Sequence, residues 1–365
     1  MSDFGTKPEN FYQAFTEADG IYYDTFKIAI VNENKTQNVE RFNMTAAGNN
    51  MLIEPERFVY AVPQTKRISN KRTTINSKSF VDNNTATWGI QASKILNSQF
   101  TGKRVNLAVL DTGLNLSHPD FRRLTVKSKS FISGQQVEDK NGHGTHCSGI
   151  AVGGIQQKTN LRYGVATDCN LFIGKVLSNA GSGKDRGILA GLEWALKNKC
   201  KVISMSLGSP VGQGETFSPA YERVAKVALD NGCIIIAAAG NESQRQFGLI
   251  NPVGHPANCP SVMAVAAVDS NLQIASFSCG GFNMDGGQVD VAGPGVNIFS
   301  SWKSKGYKTI SGTSMATPFV AGIAATYWEA FPNATAAEIW MMIVQNALRL
   351  NLNATDVGAG LVQAQ

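Results

Sequence analysis

The chain has 365 residues, 43% of them hydrophobic and 16% charged, with a formal net charge of +6. This composition allows a sizeable core and excludes a globally disordered chain. The lysines and arginines are scattered rather than gathered into an aromatic-interleaved stripe, which argues against a nucleic-acid partner, and no apolar run is long enough to cross a membrane.

Residues 1–20 are polar and are expected to form a flexible N-terminus. They contain no apolar h-region of the kind a secretory leader carries. The expectation is a cytosolic protein, the alternative being export by a non-standard route or with a leader missing from the sequence. The six cysteines, at 147, 169, 200, 233, 259 and 279, form no C-x-x-C pair and no zinc spacing. Cys200 and Cys233 lie beside apolar runs and read as small buried hydrophobes. The spacing leaves the disulfide state open.

Residues 21–70 read as a small α/β unit. Residues 26–31 alternate like a half-buried strand, and residues 58–62 form a second strand stopped by Pro63. Residues 71–87 are rich in Lys, Arg, Ser, Thr and Asn and read as an exposed linker. From Trp88 to residue 365 the pattern changes. Continuous apolar runs at 105–110, 171–176, 202–207, 234–239, 262–268 and 289–292 read as strands buried on both faces. Between them lie helical patterns. Ile188, Leu189, Leu192, Ala195 and Leu196 share one face. Ser218 is a natural N-cap before Pro219, and Gly232 a natural stop. Helices are also expected from Ser314 to about residue 331 and over about 336–350. Strands alternating with helices predict a mostly parallel α/β sheet with helices on both faces, preceded by the small α/β unit.

In such a sheet, function gathers beyond the carboxyl ends of the strands. Asp111 directly follows one strand and Asn241 another. His143 lies in the glycine-rich stretch Asn141-Gly142-His143-Gly144-Thr145-His146. Ser314 sits where a turn becomes a helix, in Gly312-Thr313-Ser314-Met315-Ala316-Thr317-Pro318. Each residue has an ordinary structural explanation by itself, as a turn residue, a cap or a packed side chain. Together they supply a hydroxyl nucleophile, a base, a carboxylate to orient it and an amide donor for an oxyanion.

The three blocks Val109-Leu110-Asp111-Thr112-Gly113, Asn141 to Gly149 and Gly312 to Pro318 resemble those of the subtilisin-like serine proteases, in the chain order Asp, His, Ser. The resemblance runs from about Trp88 to Gln365. It implies a serine endopeptidase in which Asp111, His143 and Ser314 are catalytic, with Asn241 and the Ser314 backbone N–H binding the oxyanion. It further implies that Ser206, Leu207, Gly208 and Ser209 pair with an extended polypeptide substrate, and that Ala238, Gly240 and Gly254 wall the pocket before the cut. Cys147 after the histidine block is similar to the proteinase K-like and thermitase-like members. Residues 21–70 take the place of a propeptide that assists folding and inhibits, with autoprocessing expected between about residues 73 and 86. The chain's own propeptide is thus a partner, and a monomer is expected. No cofactor is required. Asp120 and Asp290 are candidate weak cation ligands, but the segment 153–163 lacks the Asn-rich form of a strong calcium loop, which argues against a calcium requirement. A broad endopeptidase and a narrow processing protease for a leader peptide or proprotein both fit. A dead binding fold does not, with four catalytic positions intact.

Overall fold

The computed structural model describes residues 21–30, 54–62, 79–156, 159–283 and 285–365. In the N-terminal part, β1 (Ile21–Tyr23) and β2 (Ile28–Ile30) form an antiparallel hairpin. The strand expected over residues 26–31 is shorter because its start is the turn. Lys27 adopts a positive φ of 56°, its ammonium reaches the Asp24 carboxylate at 2.6 Å, and Phe26 turns inward to be fully buried. After β3 (Phe58–Ala61), the larger body begins with α1 (Trp88–Ala92) and continues through β4 (Asn106–Asp111), β5 (Val126–Ser130) and α2 (His143–Ser148). Next come β6 (Asn170–Lys175), β7 (Ser182–Lys184), α3 (Asp185–Lys197), β8 (Val202–Met205), β9 (Leu207–Gly208) and α4 (Pro219–Asp230). The chain ends through β10 (Ile234–Ala238), β11 (Met263–Val268), β12 (Val291–Pro294), β13 (Ile298–Trp302), β14 (Gly306–Ile310), α5 (Thr313–Ala330) and α6 (Ala336–Gln345).

Seven strands form one parallel sheet in the order β12-β11-β10-β8-β4-β6-β5. Every residue of β8, β10, β11 and β12 is buried, so both faces of that part are covered, as the unbroken apolar runs require. α5 packs against β8, β10, β11 and β12, while α3 packs against β4 and β6 and α4 against β10. α5 is itself buried along nearly its whole length, which explains why it is apolar on all sides rather than striped. Ser218 caps α4 by accepting the Tyr221 N–H, and Thr335 and Glu338 make a reciprocal capping box on α6. Such a cap stabilises a helix by about 0.5–2 kcal/mol.

The order places β4 between strands reached in opposite directions, β6 and β5 on one side and β8 onward on the other. A crevice opens at such a reversal, beyond the carboxyl ends of the strands. β9 does not continue β8 in the sheet. It joins β3 and β7 in a separate three-stranded sheet in which β3 is the central strand, antiparallel to both neighbours.

Candidate active site

Asp111 ends β4 and His143 opens α2, and the two side chains meet in a fully buried pair. The His143 Nδ1 lies 2.8 and 2.9 Å from the two carboxylate oxygens of Asp111. Burial works against the imidazolium, but the Asp111 carboxylate outweighs it with help from Cys147, and the His143 pKa is held well above its ordinary value. The pair is held by a second acid, Asp139, to which the sequence reading gave no role. The Asp139 carboxylate accepts the backbone N–H groups of Asn141, Gly142 and Thr145 and the hydroxyls of Thr112 and Thr145, all at 2.7–3.0 Å. Thr112 in turn accepts the Gly144 N–H. One carboxylate therefore ties the loop after β4 to the first turn of α2, and so fixes Asp111 against His143. The signal for it was an aspartate two residues before Asn141-Gly142, a turn-forming pattern.

Ser314 occupies the first turn of α5, fully buried. Its hydroxyl donates to the Ser206 carbonyl at 3.3 Å, and the His143 Nε2 has no hydrogen-bond partner among the described residues. Pro318 lies four residues further on, where an ordinary residue would donate its N–H to the Ser314 carbonyl. Proline has none to give. That carbonyl instead accepts the Ser206 hydroxyl at 2.8 Å and the Cys147 thiol at 3.4 Å. The helix start is thus fastened to the strand end after β8 and to α2 by a bond that proline leaves open.

Asn241 follows β10. Its side-chain oxygen accepts both the N–H and the hydroxyl of Thr313 at 2.9 Å, which turns the amide nitrogen the other way. A Cβ added to Gly312 would lie only 2.9 Å from that nitrogen, so glycine is needed there for close approach. Thr313, between Gly312 and Ser314, is the second residue whose role sequence reasoning missed.

Of the candidate pairing residues, Leu207 and Gly208 face Ala61 and Tyr60 of β3. Ser206 lies one step further toward Ser314, and Ser209 leaves β3 to pair with His255. Val62 is buried, and a Cβ on Gly208 would come within 4.0 Å of its side chain. Gly254 donates its N–H to the Ala239 carbonyl, while Gly240 sits against the Thr313 hydroxyl at 3.3 Å and Ala238 is buried at the end of β10. The candidate wall residues thus bring the end of β10 and residues 208–209 and 254–255 together around the path that β3 takes.

The donor sets at Asp120 and Asp290 do not fit a calcium ion. Both oxygens of the buried Asp120 are taken by phenols. The Tyr163 hydroxyl donates at 2.5 Å, and the Tyr307 hydroxyl lies 3.0 and 2.9 Å from the two oxygens. Asp290 accepts the Ala264 N–H at 2.7 Å. It belongs to none of the acid, histidine and cysteine clusters among the described residues, and burial pushes its pKa up to about 7. Calcium needs several oxygen donors, mostly charged or carbonyl. All six cysteines are buried and free. No helix among the described residues is long and apolar enough to cross a membrane.

A parallel sheet with a buried acid–imidazole pair beside a helix-start serine defines a hydrolase class rather than a single protein, and comparison with known proteins narrows it. Residues 102–362 match the model of the subtilase family. Over 277 residues the chain is 37% identical to subtilisin DY of Bacillus licheniformis, covering 76% of this chain and 95% of that one. It is 38% identical to subtilisin E of Bacillus subtilis over 279 residues, 76% of this chain and 68% of the relative. It is also 38% identical to a thermostable alkaline protease of Halalkalibacterium halodurans over 284 residues, 77% of this chain and 73% of the relative. The chain belongs to the subtilase family. It is a serine endopeptidase, acting on polypeptides.

Proposed function

We propose that the protein is a proenzyme in which Ser314, His143 and Asp111 form the catalytic triad. The Ser314 hydroxyl attacks the scissile carbonyl and its proton passes to His143 Nε2, the ring nitrogen that faces away from Asp111. The resulting oxyanion takes hydrogen bonds from the Asn241 side-chain amide and the Ser314 backbone N–H. His143 then gives its proton to the departing amine, leaving an acyl-enzyme. A water, deprotonated by His143, hydrolyses the ester and restores Ser314. Asp111 holds the imidazole in the tautomer with Nε2 bare and supports its positive charge. The Nδ1 distances to Asp111 support this assignment.

The observation that carries the proenzyme reading is the place of β3. It lies as the central strand between β7 and β9, with Tyr60 opposite Gly208 and Ala61 opposite Leu207. Continuing the register puts Val62 opposite Ser206, the residue whose carbonyl accepts the Ser314 hydroxyl. An extended substrate would add to the same edges. The residues before β3 reinforce the docking. Glu54 accepts the Ser218 hydroxyl and the Ala220 N–H at the start of α4, and Glu56 accepts the Arg186 N–H and pairs with its guanidinium at the start of α3. Acids at two helix N-termini are favourably placed. In this reading the segment 21–70 acts as a propeptide that inhibits in cis, and the enzyme works as a monomer without calcium. The processing site expected between residues 73 and 86 falls partly outside the described residues.

The test is the fate of the full chain with and without Ser314. Wild-type protein should shorten at its N-terminal side and be labelled by a fluorophosphonate, whereas Ser314→Ala should stay full length and unlabelled. Shortening of the alanine variant in pure form would overturn self-processing. Labelling of that variant would overturn Ser314 as nucleophile.

A further inference from the structure

We infer that the substrate cleft carries a subsite for a cationic side chain upstream of the cut, built from Asp185, Glu215, His255 and Asn258. The inference rests on the reading that substrate takes the path of β3. Beside that strand, where it passes Arg57 and Phe58, lies a cavity of about 310 Å³ whose lining includes Glu215, His255 and Asn258. His255 is only 3% exposed, and neither of its ring nitrogens has a partner among the described residues. Asn258 is 2% exposed, and its side-chain oxygen is likewise unpartnered. Buried polar atoms are nearly always satisfied, so three such atoms at one cavity point to a missing ligand.

The chemistry of these atoms selects its charge. Asp185 lies behind the strand, with His255 Nε2 4.0 Å from its Oδ1. It accepts the Tyr221 hydroxyl at 2.9 Å and the Arg57 N–H at 2.7 Å, which leaves lone pairs on both oxygens. The Tyr221 ring stands edge-on to His255 at 4.5 Å. Burial and the Arg57 charge push the His255 pKa down to about 3, so its imidazole is neutral and offers an acceptor. The cavity is therefore rich in acceptors and negative charge. A lysine or arginine supplies donors only and would satisfy the carboxylates, the Asn258 oxygen and the one bare imidazole nitrogen. When the docked segment leaves, Arg57 and Glu54, which pair with each other at 2.9 Å, leave together. The acceptors that remain belong to the catalytic body.

The register fixes where such a side chain comes from. Counting back from Val62 opposite Ser206, Tyr60 is third and exposed, Val59 is fourth and fully buried, and Arg57 is sixth. Alternation turns the fourth and sixth positions to the same, inward face. Lysine or arginine at either position is preferred. The Arg57 now at the sixth position pairs with Glu54 instead, which leaves the acceptors unpaired and makes the docked segment a poorer occupant than a basic substrate without that acid.

The experiment uses the full chain as produced, with hexapeptide p-nitroanilides ending in Tyr-Ala-Val. Lysine, norleucine or glutamate is placed fourth or sixth from the cut, with alanine elsewhere. One lysine peptide should exceed its norleucine counterpart at least tenfold in kcat/KM, with the glutamate peptide lowest. Glu215→Gln and His255→Phe should each reduce the ratio of lysine-peptide to norleucine-peptide rates several-fold. Equal or greater rates for norleucine at both positions would overturn the subsite. Amides of the same peptides are also measured for binding, by competition with a fluorescent lysine peptide, to the wild-type chain after its N-terminal segment has been cut away by itself or by an added protease. If no peptide is cleaved but the lysine peptides bind better, the subsite stands and the catalytic reading falls. If binding shows no preference, the subsite falls whatever the rates.

Discussion

The single residue that most rewards attention is Asn241, because its donor is aimed by Thr313 rather than by its own strand. An amide that already faces the oxyanion costs no reorganisation at the moment of reaction. In subtilisin itself, the standard measured case, removing the asparagine donor costs about 10²–10³-fold in kcat. Asn241→Leu should lose a similar factor with KM little changed, and Thr313→Val should lose part of it; steady-state kinetics checks both. Asp111 raises the His143 pKa, so the base is neutral only at higher pH. The acid limb of kcat/KM should therefore lie above the ordinary histidine value of about 6.5. Asp111→Asn should move that limb to lower pH while kcat falls about 10⁴-fold, the cost of a misdirected tautomer. The same pairing stabilises the folded chain fully below the ordinary histidine pKa and is lost as pH rises through the raised one. Asp111, His143, Ser314 and Asn241 could be named as candidates from the sequence, since strand ends and small neighbours advertise them. Asp139 and Thr313 were not, because their importance lies in which backbone N–H groups converge on them. Pattern alone does not carry that convergence.

At the scale of elements, the docked segment depends on acids at helix starts. Burial alone would raise the Glu56 pKa, but hydrogen bonds from Arg186 outweigh it and hold it below its ordinary value. A lowered carboxyl contributes stability above the ordinary pKa of 4.5 and loses it as pH falls through the folded value. The docking should therefore loosen in acid. Glu54→Gln with Glu56→Gln should raise the initial rate of unprocessed chain at neutral pH by about tenfold or more, since a charged hydrogen bond contributes about 1.5–3 kcal/mol. An unchanged initial rate would show that β3 alone holds the segment. The sequence read β3 and the buried strands well, because continuous apolar runs survive any packing. It read β5 and the β13–β14 hairpin poorly. The β5 sequence, Val-Lys-Ser-Lys-Ser, is mostly exposed and pairs with β6 on one side only, so it carries little apolar pattern. The expected strand over 202–207 divides after Met205, where Ser206 turns to bond the Ser314 carbonyl and Leu207 goes to another sheet.

At the scale of the whole molecule, Asp120 joins distant segments through two phenols, Tyr163 and Tyr307, that stack around it with Phe299 and His118. The clamp joins these segments by hydrogen bonds and ring contacts. Thermal unfolding should accordingly be unmoved by EGTA or added calcium. Tyr307→Phe should lower stability by about 1–3 kcal/mol, the cost of leaving a buried acceptor underused. A rise in Tm with calcium would show that the clamp gives way to an ion.

In the proposed proenzyme, the central position of β3 has a consequence for how the molecule switches on. An inhibitor attached to its target acts at an effective concentration in the millimolar range for a short flexible connection. A free substrate at micromolar levels competes poorly with it. Cutting the connection between Val62 and Trp88 converts that tethered competitor into a solute diluted to the concentration of the protein itself. Activity should then appear after a lag, and the lag should shorten as a trace of already cut enzyme is added.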